Sequence, residues 1–259
     1  MQNKLYQKLS NDRYHADKGS ISTSFIKKML ISYVHANYKD DSPKKSTPAM
    51  ELGTAFHALT LEGGEGVVVA PDVNKRTQLG KMELADFEVL HKHELVISQG
   101  VMDTAIKMHE SVMSHPIASK LLTGGVAEQS IFWDHKGQQL RCRPDYYKDG
   151  VIIDLKSAQN ASPAGFAKAV ATYHYDLQEA IYRDGCATQL TALDFIFVVT
   201  ESTAPYLTAV YRLKKEDVAL ARVKYHELLL NWKNCNDLGQ FPGYSDEILE
   251  IELPGWYEL

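Results

Sequence analysis

The chain has 259 residues, 44% of them hydrophobic and 24% charged, with a formal net charge of −5. That is ample material for a packed core in one large or two small domains. With no run of about 18 apolar residues, a membrane span is not expected. The opening Met1-Gln2-Asn3-Lys4-Leu5-Tyr6 lacks an apolar signal core, so a cytoplasmic protein is expected. Cys142, Cys186 and Cys235 are far apart and form no CxxC pair, zinc spacing or even disulfide set. They are too few for a four-thiolate iron–sulfur cluster. The net acidity argues at first against nucleic acid, but the distribution of charge outranks its sum. Basic residues gather at Lys27-Lys28, Lys44-Lys45, Lys75-Arg76, Arg141 with Arg143, and Lys214-Lys215. Acidic ones gather near the C-terminus, at Asp246-Glu247, Glu250, Glu252 and Glu258. Each basic pair taken alone reads as an ordinary solvated face.

In chain order, residues 11–17 read as a polar loop. Ser20-Ile21-Ser22-Thr23-Ser24 then precedes a helix from Phe25, with a serine as natural N-cap. The same serines are candidates to hold a phosphate. Residues 37–48 are polar and carry two prolines, as a loop would. Met50 to Leu61 reads as a helix, 63–80 as a surface excursion around Val67-Val68-Val69, and Lys81 to Met113 as one helical stretch. A short helix follows from His115-Pro116 to Leu122. Glu128 to Trp133 reads as a strand that turns at His135-Lys136-Gly137 into a hairpin. Ser162-Pro163 opens a helix and Tyr173 to Cys186 forms a longer one. Leu193 to Thr200 is a buried strand, Pro205 to Tyr211 another, and Lys215 to Cys235 an amphipathic helix. The sum is an α/β fold, a central mixed β-sheet flanked by helices. It reads as a single domain over 1–259: N-terminal helices at 11–62, a helical insertion at 63–125, a core at 126–212, and a C-terminal helix and tail at 213–259.

The most informative stretch runs from Arg141 to Lys156. Asp149-Gly150 between β-rich runs is a strong hairpin signal. Folding back around it places Lys148 opposite Val151, Tyr147 opposite Ile152, Tyr146 opposite Ile153, and Asp145 opposite Asp154. Two opposed carboxylates destabilise a sheet unless a cation bridges them. Lys156, two residues past Asp154, points to the same face. Two acidic oxygen donors and an ammonium in one small volume suit a hard divalent ion such as Mg2+.

Other residues are ambiguous alone. Glu128 lies one strand earlier and can reach the same face, or be an exposed strand-end acid. His57, in an apolar helix with Gly53 on the same face, is by default a packed histidine. Gln178 and Tyr182 share a helix face at i, i+4, which by itself is a half-exposed helix surface.

Taken in order, these motifs carry a resemblance. Pro144-Asp145 followed by Asp154-Leu155-Lys156 resembles the PD-(D/E)xK nuclease signature. Adding Gly53-Thr54-Ala55-Phe56-His57, Glu128, Gln178-x-x-x-Tyr182, Tyr14-His15-Ala16-Asp17 and Ser22-Thr23-Ser24, the chain resembles RecE-type (exonuclease VIII-like) exonucleases of phages and prophages. The likeness runs from about residue 11 to about residue 200 and is densest between 128 and 185. It implies the PD-(D/E)xK fold. It also implies a metal site of His57, Asp145, Asp154 and the Leu155 carbonyl. Lys156 would activate the attacking water, with Glu128, Gln178 and Tyr182 completing the catalytic set. Ser22, Ser24, Arg141 and Arg143 are the expected phosphate contacts. Asp154 stands where many members of the wider group have Glu, which shortens the arm by one C–C bond.

The implied activity is Mg2+-dependent hydrolysis of linear double-stranded DNA, 5′→3′, leaving 3′ single strands for recombination by annealing. Mn2+ is the expected substitute ion. The implied partners are duplex DNA ends, further copies in a ring-shaped trimer or tetramer, and a single-strand annealing protein of the RecT type. The implied compartment is the cytoplasm of a bacterial host. A structure-selective or single-strand nuclease of the same fold, a non-catalytic DNA-binding module, and a metal enzyme acting on another substrate stay open as alternatives.

Overall fold

In a computed structural model, residues 3–39 and 46–253 are described. The Lys44-Lys45 pair, the middle of the 37–48 loop and Glu258 lie outside them.

The N-terminal part comprises β1 (Lys4–Tyr6), α1 (Asn11–Ala16), β2 (Ile21–Ser22), α2 (Thr23–Met29), α3 (Tyr33–Asn37) and α4 (Pro48–Leu61). There follow β3 (Val67–Val69), α5 (Gln78–Leu90), β4 (Leu95–Ile97), α6 (Gln99–Ser114) and α7 (Ala118–Leu121). The central part holds β5 (Val126–Ala127), β6 (Ser130–His135), β7 (Gln138–Cys142), β8 (Tyr146–Lys148), β9 (Val151–Ala158), α8 (Pro163–Tyr173) and α9 (Tyr175–Cys186). β10 (Asp194–Glu201), β11 (Thr208–Tyr211) and α10 (Lys215–Leu238) complete it.

The strands form a five-stranded mixed sheet in the order β11-β10-β9-β8-β5, a four-stranded sheet β1-β6-β7-β2, and a small β3-β4 pair. β9 is the axis. It runs parallel to β10 and antiparallel to β8. A strand covered on both faces is apolar at successive positions rather than alternating, and Val151-Ile152-Ile153 has that character. Its side chains still alternate between faces. Ile152 joins the core built with Leu177, Ile181 and Tyr225, whereas Ile153 and Leu155 join the one built with Phe56 and Met108. By the same alternation Asp154 and Lys156 fall on the α9 side.

The β8–β9 hairpin has the expected register: Lys148 against Val151, Tyr147 against Ile152, Tyr146 against Ile153. Asp149 and Gly150 both take left-handed φ, of 48° and 86°, as a two-residue turn of this kind requires. α4 begins with Pro48, whose missing N–H costs nothing at that position, behind a Thr47 cap.

Several expectations are corrected. The 81–113 stretch is two helices separated by β4, because the run Leu95-Val96-Ile97 pairs in parallel with Val67-Val68-Val69. The 11–17 loop is instead the helix α1, capped by Ser10 and anchored by buried Tyr14. α9 starts at Tyr175, since His174 at φ 52° breaks the helix from α8. Glu128, also at positive φ (54°), precedes rather than begins β6. β6 belongs to the other sheet, so Glu128 reaches the site by another path: β5 pairs with β8, and the Glu128 N–H donates to the Asp145 carbonyl at 3.1 Å. Among the described residues no helix is long and apolar enough to cross a membrane.

Where α9 crosses β6 and β7, a Cβ on Gly185 would meet the Trp133 ring at 2.7 Å and Cys142 Sγ at 2.9 Å. Gly185→Ala is therefore expected to destabilise the protein by about 1–3 kcal/mol through overpacking. Urea denaturation checks this; an unchanged midpoint would contradict the packing described.

Candidate active site

Four elements converge on the C-terminal half of β9. The hairpin brings Asp145 beside it, where its Oδ2 accepts the Leu155 N–H at 2.8 Å. This bond takes the place of a direct Asp145–Asp154 ladder pair. α4, packed on β9, supplies His57, whose Nε2 lies 2.6 Å from the Leu155 carbonyl oxygen. A carbonyl only accepts, so Nε2 carries the proton and donates. The other ring nitrogen, Nδ1, lies 3.8 Å from Asp145 Oδ2. Glu128, directly after β5, closes the group. Ligand atoms of His57, Glu128 and Asp145 all lie within 4.8 Å of one another.

Asp154, one residue before Leu155 on β9, is fully buried at 0% exposure. Its carboxylate forms an ion pair with the Lys156 ammonium and accepts from Gln178 Nε2 at 2.6 Å. An isolated buried carboxylate would be expensive, and paired, hydrogen-bonded burial is the usual way it is tolerated. Burial nonetheless raises Asp154 to about 6, with Lys156 opposing and Asp145 adding to the rise. Burial pulls the Lys156 ammonium down, but Asp154 and Asp145 outweigh it and leave Lys156 above its ordinary value.

The chemistry of the trio fits a divalent cation. Glu128 is pushed up to about 8, first by burial and next by the Asp145 charge. Crowded acids that resist ionising together are what a bound cation relieves. Two carboxylates suit a hard ion, and an imidazole broadens the set toward Mn2+.

A sequence profile described as "PDDEXK-like domain of unknown function (DUF3799)" matches residues 22–253. The chain belongs to this PDDEXK-like family. Among solved structures, a "putative exonuclease" from Eubacterium rectale is similar in fold, with a TM-score of 0.65 at 15% identity, covering 95% of this chain and 96% of that one. No functionally curated protein matches the chain.

Within the PDDEXK-like domain the remaining expected residues are distributed unevenly. Tyr182 lies one turn beyond Gln178, its hydroxyl raised well above the usual value by burial and by nearby Tyr14 and Asp154. Ser22 Oγ accepts from the Phe25 N–H and is hydrogen-bonded to Ser24 Oγ at 2.9 Å. Arg141 and Arg143, expected as phosphate contacts, are placed otherwise. Both are buried, and both sit on the Tyr14 ring at 4.9 and 4.1 Å. Arg141 engages Asp17, and Arg143 engages Ser130, Asn11, the Leu9 carbonyl and, at 3.9 Å, Glu128. They tie the N-terminal segment to β7. Their spacing at i, i+2 reads from sequence as a basic face, because burial of a guanidinium is visible only once its acceptors are assembled.

Tyr175 and Glu62 escaped the sequence reading, and Lys27 entered it only in a basic pair that reads as a solvated face. Tyr175 carries Lys156 Nζ 5.0 Å from its ring centroid and Lys27 Nζ at 5.3 Å. Glu62, one residue past α4, is raised by burial and by Glu65, and feels His57 and Arg143. The spacing Tyr175-x-x-Gln178 was available as a signal, because i, i+3 residues share a helix face.

The raised Glu128 predicts a pH signature for the metal-free protein. A carboxyl whose folded value exceeds its unfolded one contributes stability below the unfolded value and loses it as pH climbs through the folded value. In EDTA, thermal stability should therefore fall between pH about 4.5 and about 8, with Glu128 contributing alongside Asp154 and Glu179. Glu128→Gln should flatten that fall. Melting curves across this range check it, and an equal slope in both proteins would remove Glu128 from the explanation.

Proposed function

We propose that this protein is a divalent-metal-dependent DNA exonuclease that hydrolyses phosphodiesters of linear double-stranded DNA, 5′→3′, leaving 3′ single strands for recombination by annealing. The observation that carries the reading is the buried Asp154, held between Lys156 and Gln178 beside the His57, Glu128 and Asp145 trio. Membership of a PDDEXK-like family supports it, as does the fold shared with the "putative exonuclease".

His57, Glu128 and Asp145 would hold Mg2+, or Mn2+ in its place, with Asp154 and the Leu155 carbonyl completing the set as the RecE-type resemblance implies. Such an ion, when bound, polarises the phosphate and lowers the pKa of its water. Lys156 stays protonated in this setting, so it offers a fixed positive charge to the phosphate oxygens and orients the water. Gln178 fixes the Asp154 rotamer. The Leu155 N–H fixes the Asp145 carboxylate, and the Leu155 carbonyl orients the His57 ring. One peptide unit thus aligns two of the residues assigned to the ion. Ser22 and Ser24 remain the proposed phosphate contacts. The ring-shaped homo-oligomer around DNA, the RecT-type annealing partner and the bacterial cytoplasm rest on the resemblance alone.

Digestion of linear duplex DNA, labelled at one or the other end, tests the reading. Immediate release of 5′ label with Mg2+, abolished by EDTA, is the expected result. Cutting of single strands or flaps beside intact duplex would replace the duplex exonuclease with a structure-selective one. Asp154→Ala and Lys156→Ala should each lower cleavage by about 10³-fold or more with an unchanged far-UV spectrum; wild-type activity in either would refute the site. His57→Ala should shift the Mg2+ titration to higher concentration, and an unmoved titration would return His57 to a packing role.

A further inference from the structure

Beside the acidic centre lies a cavity of about 270 Å³ whose lining includes Thr23, Lys27, Arg141, Gln178 and Tyr182. It shares a wall with the site, because Gln178 also touches Asp154. Three polar groups in that lining lack an internal partner among the described residues: the Thr23 hydroxyl, the Lys27 ammonium and Arg141 Nε. The Thr23 hydroxyl is buried and meets no hydrogen-bond partner among the described residues. Buried hydroxyls are nearly always satisfied, so an orphan one in a cavity wall calls for a partner. The half-buried Lys27 ammonium has no carboxylate within ion-pair distance among the described residues. It sits 5.3 Å from the Tyr175 ring centroid, on the same ring as Lys156. Burial, and next the Lys156 charge, push Lys27 down to about 8, and Asp154 and Asp176 only partly counter this.

The charges of the other cations of the lining are answered or absent, although Arg141 Nε keeps a free N–H. Arg141 lies 3.6 Å from Asp17. His15 is kept below its ordinary value by burial and by Arg143 and Arg141, which favours its neutral form. One unmatched positive charge and one unmatched hydroxyl remain. They complement an oxyanion carrying a single negative charge, which is a phosphodiester. A terminal phosphate carries about −1.5 to −2 at neutral pH.

We propose that Thr23 and Lys27 bind a non-scissile phosphodiester of the DNA strand that enters the site. The Thr23 hydroxyl donates to one phosphate oxygen and Lys27 pairs with the charge, so the strand is gripped one step away from the bond that Lys156 faces. This rests on the nuclease reading above.

The test is anisotropy of a fluorescent duplex with 5′-hydroxyl ends, in EDTA, across a salt series. Each phosphate contact by a cation steepens the dependence of log K on log salt by about 0.9. Lys27→Ala is expected to make the slope shallower by about 0.9, and Lys27→Arg to restore it. Thr23→Val is expected to weaken binding with the slope unchanged. Lys27→Gln, which keeps the aliphatic stem, repeats the measurement should the alanine variant fail to fold. A wild-type slope in Lys27→Ala and Lys27→Gln would overturn the proposal, as would a loss confined to 5′-phosphorylated duplex. A wild-type protein that neither binds duplex in EDTA nor cuts it with Mg2+ would fail at the nuclease reading itself. Wild-type cutting with an indifferent Lys27 would fail here alone.

Discussion

Asp154 is the constraint around which the rest is arranged. A carboxylate with no exposed surface costs several kcal/mol unless its charge and lone pairs are met. Lys156 meets the charge and Gln178 meets a lone pair. Both partners must be delivered by the fold, one from the same face of β9 and one from α9. The parallel β9–β10 pairing, with α8 and α9 as its crossover, is what places the Gln178 amide against a residue 24 positions earlier. Lys156 in turn is packed over Tyr175 of the same helix. Breaking this one arrangement would leave a buried charge unpaired and the ammonium unanchored.

The Leu155 peptide unit links the two halves of the site. Its N–H is bound by Asp145 and its carbonyl by His57, while its side chain is fully buried in the core cluster that also holds Phe56 and Met108. The backbone at this position is therefore fixed by packing. Two of the residues assigned to the ion, Asp145 and His57, are hydrogen-bonded to this rigid strand, and such support is what lets a site keep its geometry. The cost of crowding acids appears as the raised Glu128.

The net charge of −5 and a DNA-directed site are compatible because charge is used locally. Arg141 and Arg143, just before the motif, make internal ties to Asp17, Asn11 and Tyr14. Lys27, from a helix far away in sequence, is the cation left facing the cavity.

Local chemistry determined much of this protein by itself. The Asp149-Gly150 turn set the hairpin register, because only a two-residue turn with positive φ closes those strands. The alternation along β9 put Asp154 and Lys156 on one face, and the order of motifs pointed to the PD-(D/E)xK fold. What tertiary structure alone decided involves partners distant in sequence. β4 was hidden inside a helical pattern because its pairing strand lies at Val67–Val69 and three apolar residues have no periodicity of their own. Glu128 reached Asp145 through β5 rather than through the next strand, by a left-handed backbone that no side-chain pattern announces. Whether an arginine faces a ligand or a buried acceptor, and whether a lysine is left without a counter-charge, depends on acceptors more than a hundred residues away, as Asp17 is from Arg141. Such pairings are set by packing, and a single sequence carries no local signal for them.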